Sequence, residues 1–242
     1  MIRIDSIAKS FKQVQAVKSV SFQAEDGRIT ALLGPNGAGK STTLRVLATV
    51  IAADQGTASV DGVDVATSPM EVRQRIGVLP HSSGLYGRLT ARENIAYYGQ
   101  LQGLDKTQLK TRIDTLIDQL DMSDFAERRT DGFSQGQKIK VALARALVHD
   151  PQNVILDEPT NGLDVMATRA LREIIQSLKD AGKCVLFSSH IMQEVDALCD
   201  DVVVIGQGEV KFDGTIRALR EQAGTQDLED AFVQLAGVGE DG

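Results

Sequence analysis

The plainest chemistry in the chain lies in Gly34–Thr42, which reads GPNGAGKST. It fits G-x-x-x-x-G-K-[ST], with Gly34, Gly39, Lys40 and Ser41 on the fixed positions and Asn36, Gly37 and Thr42 completing the loop. A triphosphate needs several donors converging on its oxygens. Glycines let backbone N–H groups turn inward and approach closely, and a helix opening at the loop aims its positive end at the same anion. Lys40 would bridge the β- and γ-phosphates, and the Ser41 hydroxyl would face Mg²⁺. A second group stands where the apolar run Val154-Ile155-Leu156 ends in Asp157-Glu158. Two acids at the carboxyl end of a buried parallel strand sit where open α/β sheets bind ligands. Adjacent strand residues point to opposite sides, so Asp157 is expected to hold the Mg²⁺ shell and Glu158 to face the attacking water. Cys184–Ser189 is a similar run ending in His190, a candidate γ-phosphate contact.

The elements that must position these groups follow from periodicity. Ile29–Leu33 reads as a buried strand before the glycine loop and Thr43–Ala48 as a helix after it. Residues 1–30 alternate and turn like β-structure, with a break at Asp26-Gly27. Phe11 falls there, either as a core or rim side chain or as a ring on which a base stacks. Ala58–Val63 reads as a strand turning at Asp61-Gly62, and Arg75–Pro80 as a buried strand ending in the loop His81–Gly84. Thr90-x-x-Glu93 is a capping box opening a helix that Gly103 stops. Leu109, Ile113, Leu116 and Leu120 recur at helical spacing. The last helix of this region spans Gln137–Val148, behind Ser134, which is either an anion-binding helix end or an ordinary N-cap. Strands over Val202–Ile205 and Gly208–Phe212 precede a helical tail from Thr215.

Composition narrows the class. A chain of 242 residues accommodates one compact domain with an inserted or appended piece. No apolar run approaches the roughly 18–20 residues of a membrane span, and the N-terminus lacks a signal-peptide apolar region. A cytosolic chain docked on a membrane protein is the expectation. The formal net charge of −7 argues against a general nucleic-acid binder. Cys184 and Cys199, without metal-binding spacing, are expected to be buried reduced thiols.

In order, GPNGAGKST, FSQGQ, VILDEPTNGLD and FSSH span the chain. On this set the chain resembles the ATP-binding subunits of ABC transporters over nearly its whole length. The resemblance implies an α/β fold: a P-loop NTPase core with a mainly parallel sheet, an N-terminal antiparallel β portion and an inserted helical subdomain. The implied division is 1–84 and 151–215 as the ATP-binding core, 85–150 as the helical signature subdomain, and 216–242 as the tail. Phe11 matches the ring that stacks on adenine. Ser134, Gly136 and Gln137 match the signature that meets the γ-phosphate held by the other subunit, with Gln135 replacing a usual glycine. Asp157 supports Mg²⁺, Glu158 polarises water, His190 is the switch histidine, and Asp164 lies at the dimer seam. His81 stands where the family usually has a glutamine that touches Mg²⁺ and water, which changes both reach and charge.

The resemblance also implies ATP and Mg²⁺ as ligands and two chains, alike or paralogous, facing head-to-tail around two ATP molecules. An integral-membrane permease completes the machine at the cytoplasmic face of the membrane, with no nucleic-acid partner. IGVLPHSSGLYGRLTARENI and DLEDAFVQLAG look like bacterial sodium-extrusion and drug-export ATPases. The competing reading is a soluble ATP-gated protein of the same family acting on a macromolecule.

Overall fold

The computed structural model describes residues 1–82 and 84–236. Ser83, in the loop His81–Gly84, and residues 237–242, at the end of the expected tail, lie outside the described residues. Strands β1 (Ile2–Phe11) and β2 (Val14–Ala24) form a hairpin around Lys12 and Gln13. Then come β3 (Ile29–Leu33), α1 (Lys40–Leu47), β4 (Gln55–Val60) and β5 (Val63–Asp64). The last two are joined at Asp61-Gly62, both with positive φ, as the Asp-Gly pair predicts. Helix α2 (Pro69–Arg75) and strand β6 (Ile76–Leu79) follow. Three helices come next: α3 (Ala91–Leu101), α4 (Lys106–Gln119) and α5 (Gln135–Leu147). The chain then alternates β7 (Asn153–Asp157), α6 (Val165–Asp180), β8 (Cys184–Ser189), α7 (Met192–Leu198) and β9 (Asp201–Gly206). Strand β10 (Glu209–Thr215) and helices α8 (Ile216–Ala223) and α9 (Leu228–Ala236) complete the described chain.

The sheet runs β5-β4-β1-β2-β10-β9-β3-β8-β7-β6. Strands β6, β7, β8, β3 and β9 pair in parallel, whereas β5, β4, β1 and β2 are antiparallel. Parallel strands must bury both faces, and every residue of β3, β7 and β8 is buried. Alternate side chains divide between two apolar clusters. Ile29, Ala31, Leu33, Val185 and Phe187 face one side with α3–α9. Leu32, Cys184, Leu186, Val203 and Ile205 face the other with α1, α2 and the antiparallel strands. The apolar stripe of residues 91–147 therefore joins the sheet in one continuous core.

Local rules account for the helix starts. Thr90 and Glu93 complete the expected capping box, and Asp105 and Gln108 form another at α4. Helix α5 starts at Gln135, two residues before the sequence reading, because Ser134 caps it and Gln137 is its third residue. Helices α2, α6 and α7 were not anticipated. The seven-residue α2 fully buries only Val72, too little to show a period, although Pro69 at its first position is a start signal. Cys184 is buried as expected, but Cys199 is only partly buried. Burial lifts both thiols, Cys184 to about 12, so neither is a nucleophile at neutral pH.

Two contacts lock β6 against α5. His149 Nε2 lies 3.0 Å from the Ile76 carbonyl oxygen. A carbonyl only accepts, so Nε2 carries the proton, and burial lowers the imidazole's pKa. Gly77 leaves no room for a methyl: a Cβ would strike the Ala146 carbonyl and lie 2.8 Å from Pro151 Cγ. Gly77→Ala should overpack this seam and lower the unfolding free energy by about 1–3 kcal/mol. A fall in the urea midpoint at unchanged slope checks it.

Candidate functional site

The glycine loop is built by close backbone approach. A Cβ at Gly39, whose φ is 109°, would lie 2.6 Å from the Ala16 carbonyl oxygen and 3.3 Å from Val17 Cγ2. Ala38 O in turn accepts from Gly208 N at 3.1 Å. The loop is thus wedged between β3, the start of β2 and the β9–β10 turn. Gly39 caps α1 without a side chain, so the helix keeps N–H donors free at its opening. Asn36 and Gly37 are exposed, while Ser41 and Thr42 are half-buried. Lys40 is buried, and its Nζ donates to the carbonyls of Gly34 at 2.6 Å and Pro35 at 3.2 Å. Desolvation lowers the pKa of the ammonium, and the nearby Glu158 and Asp157 partly offset that.

Strand β8 lies between β3 and β7, with Leu33 opposite Ser189 and Asp157 opposite Ser188. This register gathers the acids, the glycine loop and His190 at one sheet edge. Asp157 Oδ1 accepts from Ser188 Oγ at 2.7 Å and from Ser41 Oγ at 3.2 Å. Ser188 Oγ also accepts from Glu158 N at 2.9 Å. Strand alternation does not separate the two acids as expected. Strand β7 ends at Asp157, and Glu158 has φ 50°, a left-handed conformation uncommon outside glycine. The turn throws its carboxylate toward two histidines. His81 Nδ1 is 3.5 Å from Oε2 and His190 Nδ1 is 3.5 Å from Oε1. The Glu158 side chain is 14% exposed, beside imidazoles that are 56% and 51% exposed. Behind His81, the buried Arg145 donates to Gly84 O at 3.1 Å and stacks 4.3 Å over Tyr98, holding the loop to α3.

The remaining sequence candidates lie elsewhere. Ser134 Oγ accepts from Gln137 N at 3.2 Å and Gln137 Oε1 accepts from Ser134 N at 3.0 Å, a complete capping box. Asp164 caps α6, accepting from Ala167 N at 2.8 Å. Gly136 brings α5 against Ala167, so both helix starts share one groove. Among the described residues no hydrogen bond or ion pair joins this groove to the Lys40–Glu158 cluster. Phe11 is exposed at the end of the β1–β2 hairpin, with Lys9 Nζ 5.7 Å from its ring centroid. The same hairpin supplies Ala16 and Val17 to the glycine loop.

Chemically, the edge offers an ammonium, free helix donors, two hard oxygen donors 3.2 Å apart in Ser41 and Asp157, and a carboxylate bracketed by imidazoles. That donor set fits a Mg²⁺-bound phosphate and a water molecule. Sequence reading missed the roles of Ser188, Thr160 and Glu194. Ser188 was legible only as one letter of FSSH, because its partners come from other strands. Ser188→Ala leaves the Glu158 N–H and an Asp157 lone pair without their partner. It should cost about 1–3 kcal/mol in urea unfolding.

The family model described as ABC transporter matches residues 17–161. The chain is 46% identical to the ABC transporter ATP-binding protein NatA of Bacillus subtilis (strain 168), covering 96% of this chain and 97% of that protein. It is 34% identical to the linearmycin resistance ATP-binding protein LnrL of the same organism, over 97% of this chain and 74% of that one. Among solved structures, it is similar to the ATP-binding subunit of an ABC transporter, with TM-score 0.89, 29% identity and coverage of 97% and 99%. It also shares the fold of a dimeric bacterial ABC transporter cassette, with TM-score 0.81, 23% identity and coverage of 89% and 98%.

Proposed function

The chain belongs to the ABC transporter ATP-binding family, and we propose that it is the ATP-hydrolysing subunit of an exporter whose transport path lies in a separate integral-membrane permease. One observation carries the reading. Lys40, Ser41, Asp157, Glu158 and His190 converge at one sheet edge, while Ser134, Gly136, Gln137 and Asp164 are presented on a different exposed groove. A single chain thus holds two half-sites, which suits two chains, alike or paralogous, facing head-to-tail around two ATP molecules. Exposed Val165 and Met166 beside Asp164 suit such a seam.

Phe11 stacks the adenine in this reading. The loop Gly34–Thr42 cradles the phosphates, and Lys40 exchanges the Gly34 and Pro35 carbonyls for β- and γ-phosphate oxygens. Mg²⁺, when bound, neutralises phosphate charge, and Ser41 and Asp157 are the oxygen donors that would hold it. Glu158 orients and accepts the proton of the attacking water, while His190 and His81 flank its two carboxylate oxygens. We place the ATP-binding core in 1–84 and 151–215, the signature subdomain in 85–150 and the tail in 216–242. Among the described residues no helix is long and apolar enough to cross a membrane. Peripheral attachment at the cytoplasmic face, through the permease, is the location proposed. Sodium or drug export is the substrate class favoured, from the motif likeness and the linearmycin-resistance relative.

Glu158→Gln should lower turnover at least about 100-fold while binding of a fluorescent ATP analogue persists; wild-type turnover in that variant sinks the assignment. Separately purified Lys40→Ala and Ser134→Arg chains should each be inactive, whereas their mixture should recover part of the hydrolysis through one intact composite site. Full activity in either variant alone argues against shared sites. Recovery of a polytopic membrane protein in fixed ratio, from gently solubilised membranes, tests the transport role. Recovery of ribosomes or DNA instead overturns it.

A further inference from the structure

Thr160 and Glu194 have no role in the chemistry above, yet both are buried and Thr160 Oγ1 donates to Glu194 Oε2 at 2.6 Å. The ion pairs nearby in the chain belong to their neighbours, His190 with Glu158 and Arg220 with Asp196. Among the described residues Glu194 has no cationic partner. Burying a carboxylate on one hydrogen bond is unfavourable, and apolar side chains of similar volume would pack there at equal or lower free energy. Stability alone does not account for this pair.

Its position does. Thr160 lies two residues after Glu158, inside successive turns in which Asn161 N donates to Glu158 O at 3.2 Å and Leu163 N to Thr160 O at 3.1 Å. These turns lead directly to Asp164 at the head of α6. Glu194 lies four residues after His190, with its own N–H on Ile191 O at 3.1 Å. The bond therefore spans from the segment that follows β7 to the segment that follows β8. One end is close in the chain to Glu158 and Asp164, the other to His190.

We propose that the Thr160–Glu194 hydrogen bond is a positioning latch that keeps the 158–164 turn and the His190 segment in one arrangement. Its consequence for turnover rests on the ATPase reading given above, but the latch itself does not.

The test is amide hydrogen exchange on the full chain, alongside ATP hydrolysis, for wild type, Thr160→Val, Thr160→Ser, Glu194→Gln and the double variant Thr160→Val with Glu194→Leu. In Thr160→Val and in the double variant, exchange should rise about tenfold or more in both 161–163 and 193–195. Thr160→Ser and Glu194→Gln keep a hydroxyl and an acceptor and should stay near wild type. The double variant should melt within a few degrees of wild type, about what an apolar replacement allows. Its kcat should fall about tenfold from misplacement of Glu158 and His190, with KM for ATP held within about twofold. Unchanged exchange in either segment overturns the latch whether or not ATP is hydrolysed. Raised exchange with wild-type kcat reduces the bond to a structural tie and overturns the positioning role. A wild-type chain that does not hydrolyse ATP removes the functional reading instead, and the exchange data still judge the latch.

Discussion

The site depends on one hydroxyl. Ser188 Oγ donates to Asp157 and accepts from the backbone N–H of Glu158, so it joins the end of β8 to the end of β7 with both of its hydrogen-bonding capacities. Ser41, from the first turn of α1, reaches the same Asp157 oxygen. Three segments meet at one carboxylate, Ser41 lying 116 residues and Ser188 31 residues from Asp157 in the chain. That convergence requires β8 to lie between β3 and β7, and so depends on the strand order of the whole parallel sheet. A one-residue slip would exchange the side chains of these strands between the two clusters and misfit both, and it would break the Ser188–Asp157 pairing.

Around that node the fold sustains local features that are unfavourable in isolation. Glu158 holds a left-handed backbone, Lys40 is buried on carbonyl oxygens alone, and helix α1 opens without a side-chain cap. A triphosphate would satisfy the ammonium and the helix donors together. A water molecule would take its place on the exposed side of Glu158, between the two imidazoles. His81 gives this site a second titratable neighbour for the carboxylate, on the oxygen opposite His190.

The separation of the two groups of candidate residues has a simple structural origin. The parallel sheet ends its strands on one edge, where the glycine loop and acids gather. The α5 and α6 N-termini are instead set by their own caps, Ser134 with Gln137 and Asp164. The run from Glu158 to Asp164 is the shortest chain link between them, and Thr160 fastens that run to α7.

Much of this protein was readable from residue order alone, wherever local backbone demands dictate residue type. The glycine loop announces itself because Gly39 has a positive φ and no space for a side chain. The capping boxes at Thr90 and Ser134 satisfy donors within four residues, and the β7 and β8 runs are apolar throughout because both faces are covered. Other features come from contacts distant in sequence. The place of β8 beside β7, the double use of Ser188, the turn that reorients Glu158 and the partnering of Glu194 each require residues from different elements to arrive together. The partial exposure of Cys199 was likewise set by final packing. Local pattern determined which groups can do chemistry. Strand order and two-sided burial, both non-local, decided which of them meet.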